Sequence, residues 1–378
     1  MLPLFLAWLH ATNDMFSAFL APMLPRLMEA LGVGLGVAAT LVSAYAVSSS
    51  LLQPLAGLVA DRTDRRWLAA LGPVLVALGL GALGWWPGYG ALIVMLALAG
   101  LGSALFHAAG AALVAQYTPP ERRGFWMSAF SSSGVVGMAL GPLVSVGAAQ
   151  AFGLKGLLYL VPLALVPALA FLRAAPPVRL EARPPGLGAL ARVFRGDVAR
   201  LWGMGVLRSL VFMSYATTLP VWFVAQGLGE ARAAVALSVY SLAAAVGGVL
   251  GGSASDRWGR KRVLVGTLVA SLPLYYLVLL LPLGTLEHLV ALALAGAVMN
   301  ANLPVAVVMA QEREPEQIAT VSGLLMGFTW GFAGLAYSLV GPLIEGFGVL
   351  PVLAGLGGLL VPAVYLAGRT ADPRVEWA

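Results

Sequence analysis

Apolar stretches long enough to cross a lipid bilayer follow one another from end to end of this sequence, parted only by short polar turns. About 20 residues of helix cross the hydrocarbon core. Inside it every backbone N–H and C=O must be satisfied internally, which leaves helices or a closed barrel. Barrel strands run about 10 residues with alternating polarity, a pattern absent here. The chain is 60% hydrophobic and 10% charged, against about 25% charged in globular domains. An all-α membrane protein is therefore expected, with twelve spans at roughly 3–28, 36–60, 67–86, 90–117, 123–150, 153–173, 198–226, 232–255, 263–282, 286–311, 317–344 and 348–368. The 46 glycines and 24 prolines do not oppose this, because neighbouring helices satisfy the backbone groups that such residues free.

The net charge of +6 is a matter of topology. Alternate loops, starting at 61–66, together with the C-terminal tail carry eighteen of the 22 basic residues. The opposite side carries Arg26, Lys155 and Arg232, and Arg208 lies inside a span. The positive-inside rule places the arginine-rich side and both termini in the cytoplasm, and no nucleic-acid partner is expected. Residues 1–30 lack a basic n-region, and His10, Asn13 and Asp14 interrupt their apolar run, so they read as a retained helix and not a secretory signal. Only two residues precede that span, so the natural start is expected to lie slightly upstream. The absence of cysteine excludes disulfide and thiol chemistry.

A motif repeats. Gly57-Leu-Val-Ala-Asp61-Arg62-Thr-Asp-Arg65-Arg66 returns as Gly252-Ser-Ala-Ser-Asp256-Arg257-Trp-Gly-Arg260-Lys261, each time at the end of a long apolar run. The same offset pairs Leu24-Pro25 with Leu219-Pro220, Tyr45 with Tyr240 and Gln116 with Gln311. Spans 1–6 thus correspond to spans 7–12, and because six is even the halves share one orientation, as parallel repeats do. The expected organisation is a six-helix bundle over 1–173, a polar Arg/Pro-rich linker over 174–197, and a second bundle with a short tail over 198–378.

The duplicated Gly-x-x-x-Asp-Arg-x-x-Arg-Arg/Lys loop on a six-plus-six chain resembles the major facilitator superfamily. A narrower likeness, to fosmidomycin-resistance-type efflux proteins, rests on His10-Ala-Thr-Asn13-Asp14, Phe106-His107, Glu121-Arg122-Arg123-Gly124 and Arg208-Ser209. The sequence departs from that group after His107, where Ala108-Ala109-Gly110 stands, and span 4 lacks the arginine of many antiporters. The resemblance implies that Gly57, Asp61, Arg62, Arg65, Gly252, Asp256, Arg257 and Arg260 form latches that hold one conformation and break on inward opening. It also makes Gly137, Gly141 and Pro142 an antiporter-type motif in span 5. Small residues four apart allow close helix approach, so this face is expected to slide on span 8, where Gly247, Gly248, Gly251 and Gly252 offer a smooth partner.

Polar groups inside a membrane cost about 2.5–3.5 kcal/mol at a helix centre and mark function by default. Asp14 lies mid-span, and His10, four residues earlier, shares its face. His107 lies in span 4 and Arg208 in span 7. The repeat aligns Asn13 with Arg208 and His107 with Asn302, so these residues are expected around a central cavity. There an Asp14–Arg208 distance that changes during transport would couple protons, with His10 and His107 able to join. A static Asp14–Arg208 or Asp14–His10 pair is the structural alternative. Tyr45, Gln53, Tyr215, Tyr240 and Trp330, with Asn13 and Asn302, are the expected cavity lining. No metal site is expected from three ligands on two helices, and no cofactor.

The reading is a secondary transporter, not an enzyme, that works as a monomer in a bacterial-type inner membrane. It exports a small amphipathic organic compound in exchange for protons by alternating access. A proton-coupled importer of the sugar or metabolite type is the alternative, and a non-transporting membrane sensor a more distant one.

Overall fold

Twelve rods, all helical, cross the molecule in alternating directions in a computed structural model that describes residues 1–60, 63–118, 123–177, 194–314 and 318–371. Nine helices among them are each long and apolar enough to cross a membrane. Spans 1, 2 and 3 fall short of that measure for local reasons. Span 1 is Leu2–Ser17 continued by Leu20–Leu31. Pro22 has no N–H for the carbonyl four residues back, so the helix breaks at Ala18 and Phe19. Span 2 runs Leu35–Ala46, a wide π turn over Val47–Leu51, then Gln53–Ala60. At that turn Ser48 Oγ donates to Ala44 O at 2.8 Å, Ser49 Oγ to Ala46 O at 3.3 Å, and Pro54 cannot bond Ser50. Span 3, Arg65–Gly81, has only 17 residues.

Spans 4, 5, 7, 8, 9 and 10 are continuous: Tyr89–Gln116, Arg123–Phe152, Gly196–Ala225, Glu230–Trp258, Arg260–Leu280 and Leu286–Arg313. Span 6 tightens into a 3-10 segment over Leu154–Leu160 before Pro162–Ala174. Span 11 carries the second π turn, Leu324–Phe328, between Ile318–Gly323 and Thr329–Phe347. Span 12 breaks at Leu359, between Val349–Gly358 and Leu360–Gly368, where Pro362 denies Gly358 its bond.

The repeat reappears in the packing. Spans 1–5, 2–4, 3–4, 3–6 and 1–6 pack on one side, and the same pairs shifted by six, 7–11, 8–10, 9–10, 9–12 and 7–12, pack on the other. Spans 2 and 11, 5 and 8, and 1 and 7 meet between the two sets. One apolar core is drawn wholly from residues 198–367. A second lies mainly in spans 1–6 but takes in Met213, Ala234, Tyr337, Val340 and Ile344 from the other set, so burial runs across the seam. Most of the linker expected at 174–197 lies outside the described residues.

The glycine faces differ from the sequence-based expectation. A methyl on Gly141 would meet Met15 O at 2.5 Å, and one on Gly137 would strike Ala11, so the span 5 motif packs on span 1. Gly247 and Gly251 press on Ala297 and Ala301 of span 10, and Gly252 has nothing within 4 Å. The expected slide of span 5 glycines over span 8 glycines is therefore corrected: spans 5 and 8 meet, but both glycine faces serve their own half. Between the halves the close approach belongs to span 11. Gly327 abuts Gln53, Gly331 Leu51, Gly334 Ala46, and Gly341 Leu35 O and Ala39, all in span 2. That spacing puts the four on one face. The π turns of spans 2 and 11 meet along this seam.

Candidate functional site

Helical spacing puts His10 and Asp14 on one face of span 1, and packing against span 4 brings His107 to them. His10 Nε2 lies 3.3 Å from Asp14 Oδ2, and His107 Nε2 lies 3.5 Å from Asp14 Oδ1. Asn13 Nδ2 donates to Asp14 Oδ1 at 2.9 Å and to Ser103 Oγ at 3.1 Å. His10 stacks on Phe130, ring centroids 4.2 Å apart, and meets His107 edge-on at 5.1 Å. Span 5 closes the third side at Gly134, where a methyl would strike His10 Nε2 and come within 2.6 Å of Asp14 Oδ2. His10, Asn13 and Asp14 are buried, but the His107 side chain stays 32% exposed. It is the open edge of the cluster.

Both imidazole tautomers follow from their partners. His10 Nδ1 lies 2.7 Å from Phe130 O, and His107 Nδ1 2.8 Å from Ser103 O. A backbone carbonyl only accepts, so each Nδ1 carries a hydrogen. In the neutral rings each Nε2 then turns a lone pair toward the Asp14 carboxylate. Two lone pairs facing an anion at these distances repel, so the cluster is built to hold a cation between its members. His10, Asp14 and His107 also form the only group of three or more His, Cys, Asp or Glu residues with metal-ligand spacing among the described residues.

Arg208 is elsewhere. Its Nε donates to Met299 O at 3.2 Å and its Nη2 to Asn300 Oδ1 at 2.6 Å. The guanidinium lies 5.7 Å from the Phe212 ring centroid. Asn300 is held in turn by Ala244 O at 2.8 Å. Arg208 is 1% exposed, and its Nη1 has no hydrogen-bond partner among the described residues. Of the two static pairs weighed as the structural alternative, Asp14–His10 is formed and Asp14–Arg208 is not: the acid bonds to spans 1 and 4, the base to span 10. Position along a helix does not set the direction in which a side chain leaves it. Asn302 is fully buried, and both its amide atoms lack a hydrogen-bond partner among the described residues.

The expected lining residues divide. Tyr45 bonds through its hydroxyl to Ser17 beside the cluster. Gln53 donates to Ser49 O at 3.1 Å and sits on the span 11 seam against Gly327. Tyr215 donates to Leu353 O at 3.2 Å, Tyr240 bonds to Tyr275, and both are buried in the core of the second half, which corrects their placement as lining. Trp330 meets Phe212 edge-on at 5.7 Å and packs against both cores.

Of the loop motif, Asp61 and Arg62 lie outside the described residues, as does the surrounding of Gly57. Arg65 Nε donates to Ala60 O at 3.2 Å. In the second copy Arg260 joins Asp256 at 2.5 Å, Ser255 Oγ at 2.8 Å and Glu312 at 3.3 Å. These contacts tie spans 8, 9 and 10 of one half together. Arg257 is exposed. Asp197 performs a similar service nearby, joined to Arg313 at 2.8 Å and Arg200 at 2.7 Å.

One element escaped the sequence reading. At the end opposite the arginine-rich loops, Arg26 forms a two-point pair with Glu230, Nε–Oε1 2.7 Å and Nη2–Oε2 2.6 Å, and also donates to Ala149 O at 3.0 Å. It joins span 1 to the start of span 8, across the halves. Opposite charges at the ends of two separate spans were the available signal, but no spacing rule connects residues so far apart.

Comparison with known proteins places this architecture. The Major Facilitator Superfamily model matches residues 6–338 and again 201–377. The fosmidomycin resistance protein of Escherichia coli (strain K12) is 27% identical over 344 residues, 88% of this chain and 83% of that protein. Multidrug resistance protein MdtG of Escherichia coli (strain 55989 / EAEC) is 27% identical over 96% of this chain and 93% of its own. The crystal structure of a D-xylose-proton symporter superposes with a TM-score of 0.75 at 16% identity, covering 98% of each chain. The chain belongs to the major facilitator superfamily: it is a multi-pass secondary transporter of bacterial type that works by alternating access, and not an enzyme.

Proposed function

We propose that this member of the superfamily links the movement of a small organic molecule to protons held at the His10–Asp14–His107 cluster. The observation that carries the reading is the pair of fixed tautomers: two Nε2 atoms and a carboxylate converge on one space, and a proton between them relieves their repulsion. The cluster joins spans 1 and 4 and is open at His107, so a proton has a way in. Movement of span 4 against span 1 would change its hold. Arg208, a permanent cation on the other half whose Nη1 has no hydrogen-bond partner among the described residues, is the proposed anchor for an electron-rich part of the substrate.

Export in exchange for protons is supported by the names of the resistance proteins this chain resembles. Import with protons is the second reading: the span 5 Gly-Pro element, whose likeness to an antiporter motif leans toward export, packs on span 1 within its own half, a contact that suits either direction. Coupling itself is the shared core of both. With both termini and the arginine-rich loops in the cytoplasm, inverted vesicles carrying an imposed proton gradient separate the two. An antiporter releases luminal protons when substrate is added outside, and a symporter shows no such release but accumulates no substrate unless the gradient is reversed. Asp14→Asn should abolish gradient-driven transport while leaving gradient-free exchange of substrate. Undiminished uphill transport in that variant would remove Asp14 from the coupling role.

A further inference from the structure

We infer that His10, Asp14 and His107 form a binding site for one divalent transition cation of the Zn²⁺, Co²⁺ or Ni²⁺ class. The sequence argued against a metal here, because three ligands on two helices need not converge. They do. In a tetrahedral zinc site with bonds of about 2.0–2.2 Å, neighbouring ligand atoms stand roughly 3.3–3.5 Å apart. His10 Nε2 stands 3.3 Å from Asp14 Oδ2 and His107 Nε2 3.5 Å from Asp14 Oδ1, one histidine on each carboxylate oxygen, and one ligand atom from each of the three residues lies within 4.8 Å of the others. Closing the set around one ion draws the remaining edges in by no more than about 1.5 Å.

The surroundings are those of a metal-ligand set. A ligating histidine ordinarily donates its other ring N–H to a carbonyl or carboxylate, which fixes ring orientation and the coordinating nitrogen. His10 does this on Phe130 O and His107 on Ser103 O, leaving Nε2 as the coordinating atom in both. Asn13 holds the carboxylate from the side. Two imidazoles and one carboxylate suit borderline cations and not Mg²⁺ or Ca²⁺, which prefer six or more oxygens. Three protein ligands with an accessible edge leave a fourth position for water or a donor group of a cargo molecule, the open form of a zinc site. Gly134 is what leaves room for it, since a side chain there would fill the space.

The proposal uses the same residues as the coupling site but does not depend on coupling. Metal binding and gradient-driven transport are measured separately, and either can fail alone. Purified full-length protein, stripped with a chelator, is titrated with Zn²⁺ alone by calorimetry and with Co²⁺ alone by visible absorption. The expected result is one ion per chain and the intense Co²⁺ bands of a four-coordinate site, with affinity lowered at least tenfold in His107→Ala and again in His10→Ala. His288, the remaining histidine, is fully buried and offers no competing surface ligand. Should His10→Ala lose its fold, as judged by thermal melting, His107→Gln decides at the exposed edge of the cluster. Absence of stoichiometric binding by the wild type, or binding undiminished in His107→Gln, would overturn the assignment.

Discussion

Replacing Glu230 by Gln should open the end of the transporter that the Arg26 pair holds shut. The two bonds, 2.7 and 2.6 Å, join side chains that are 27% and 18% exposed. At an effective dielectric of about 20, unit charges near 4 Å attract by about 4 kcal/mol. Desolvation and the ordering of two long side chains offset much of that, and exposed pairs retain only about 0.2–1 kcal/mol. For a two-point pair sheltered to this degree, about 1–2 kcal/mol is a reasonable net value, given that hydrogen bonds to charged groups are worth about 1.5–3 kcal/mol. The bond from Arg26 to Ala149 O stays within its own half and survives the change. Since 1.4 kcal/mol is tenfold in an equilibrium, the open-to-closed ratio at this end should rise about 5- to 30-fold. The chain has no cysteine, so Ala234→Cys introduces a single thiol. Ala234 is 1% exposed, on span 8 but packed into the core of the first half, so a membrane-impermeant maleimide reaches it only when the halves part. Labelling from the side proposed as extracellular should accelerate 5- to 30-fold in Glu230→Gln. A rate within twofold of the Ala234→Cys parent would refute the role given to the pair. So would further acceleration by Arg26→Gln in the Glu230→Gln background, which a simple pair does not allow.

Other changes test other parts. Gly134→Ala places a methyl against His10 and Asp14 and should lower transport at least tenfold, whereas Gly147→Ala in the same span, with nothing within 4 Å, should be silent. Transport assays on equal amounts of membrane protein compare them. Gly331→Ala would force Leu51 Cγ from 2.5 Å and Leu51 N from 2.9 Å. Overpacking of this kind costs about 1–3 kcal/mol, so the span 2–span 11 seam should loosen, read as faster cross-linking or labelling along it. Arg208→Met removes a buried cation that has no carboxylate among its hydrogen-bond partners in the described residues. Removing a buried charge without a counter-ion relieves its desolvation cost, which offsets the two lost hydrogen bonds, so substrate binding should fall while the melting temperature holds. A drop of more than about 3 °C, roughly 2 kcal/mol at this size, would make Arg208 a structural residue instead.

Much of this molecule is legible in its sequence because the membrane simplifies the problem. Apolar length dictates helices, charge bias orders the loops, and an offset of the same residues doubles the bundle. His10 and Asp14 could be joined from spacing alone, since both sit on one helix. What spacing on a single helix does not carry is the rotation of that helix about its axis relative to its neighbours. That rotation is set by packing, and it decides which residues of different spans meet. It brought His107 to Asp14 and turned Arg208 toward Met299 and Asn300. It spent the glycines of spans 5 and 8 inside their own halves and gave the seam to those of span 11. It also joined Arg26 to Glu230, whose partnership no local pattern announces. The sequence by itself determined the number of helices, their order and the helix that carries each polar group. The tertiary structure alone decided which of those groups face one another, because side-chain direction depends on contacts between helices and not on position along one.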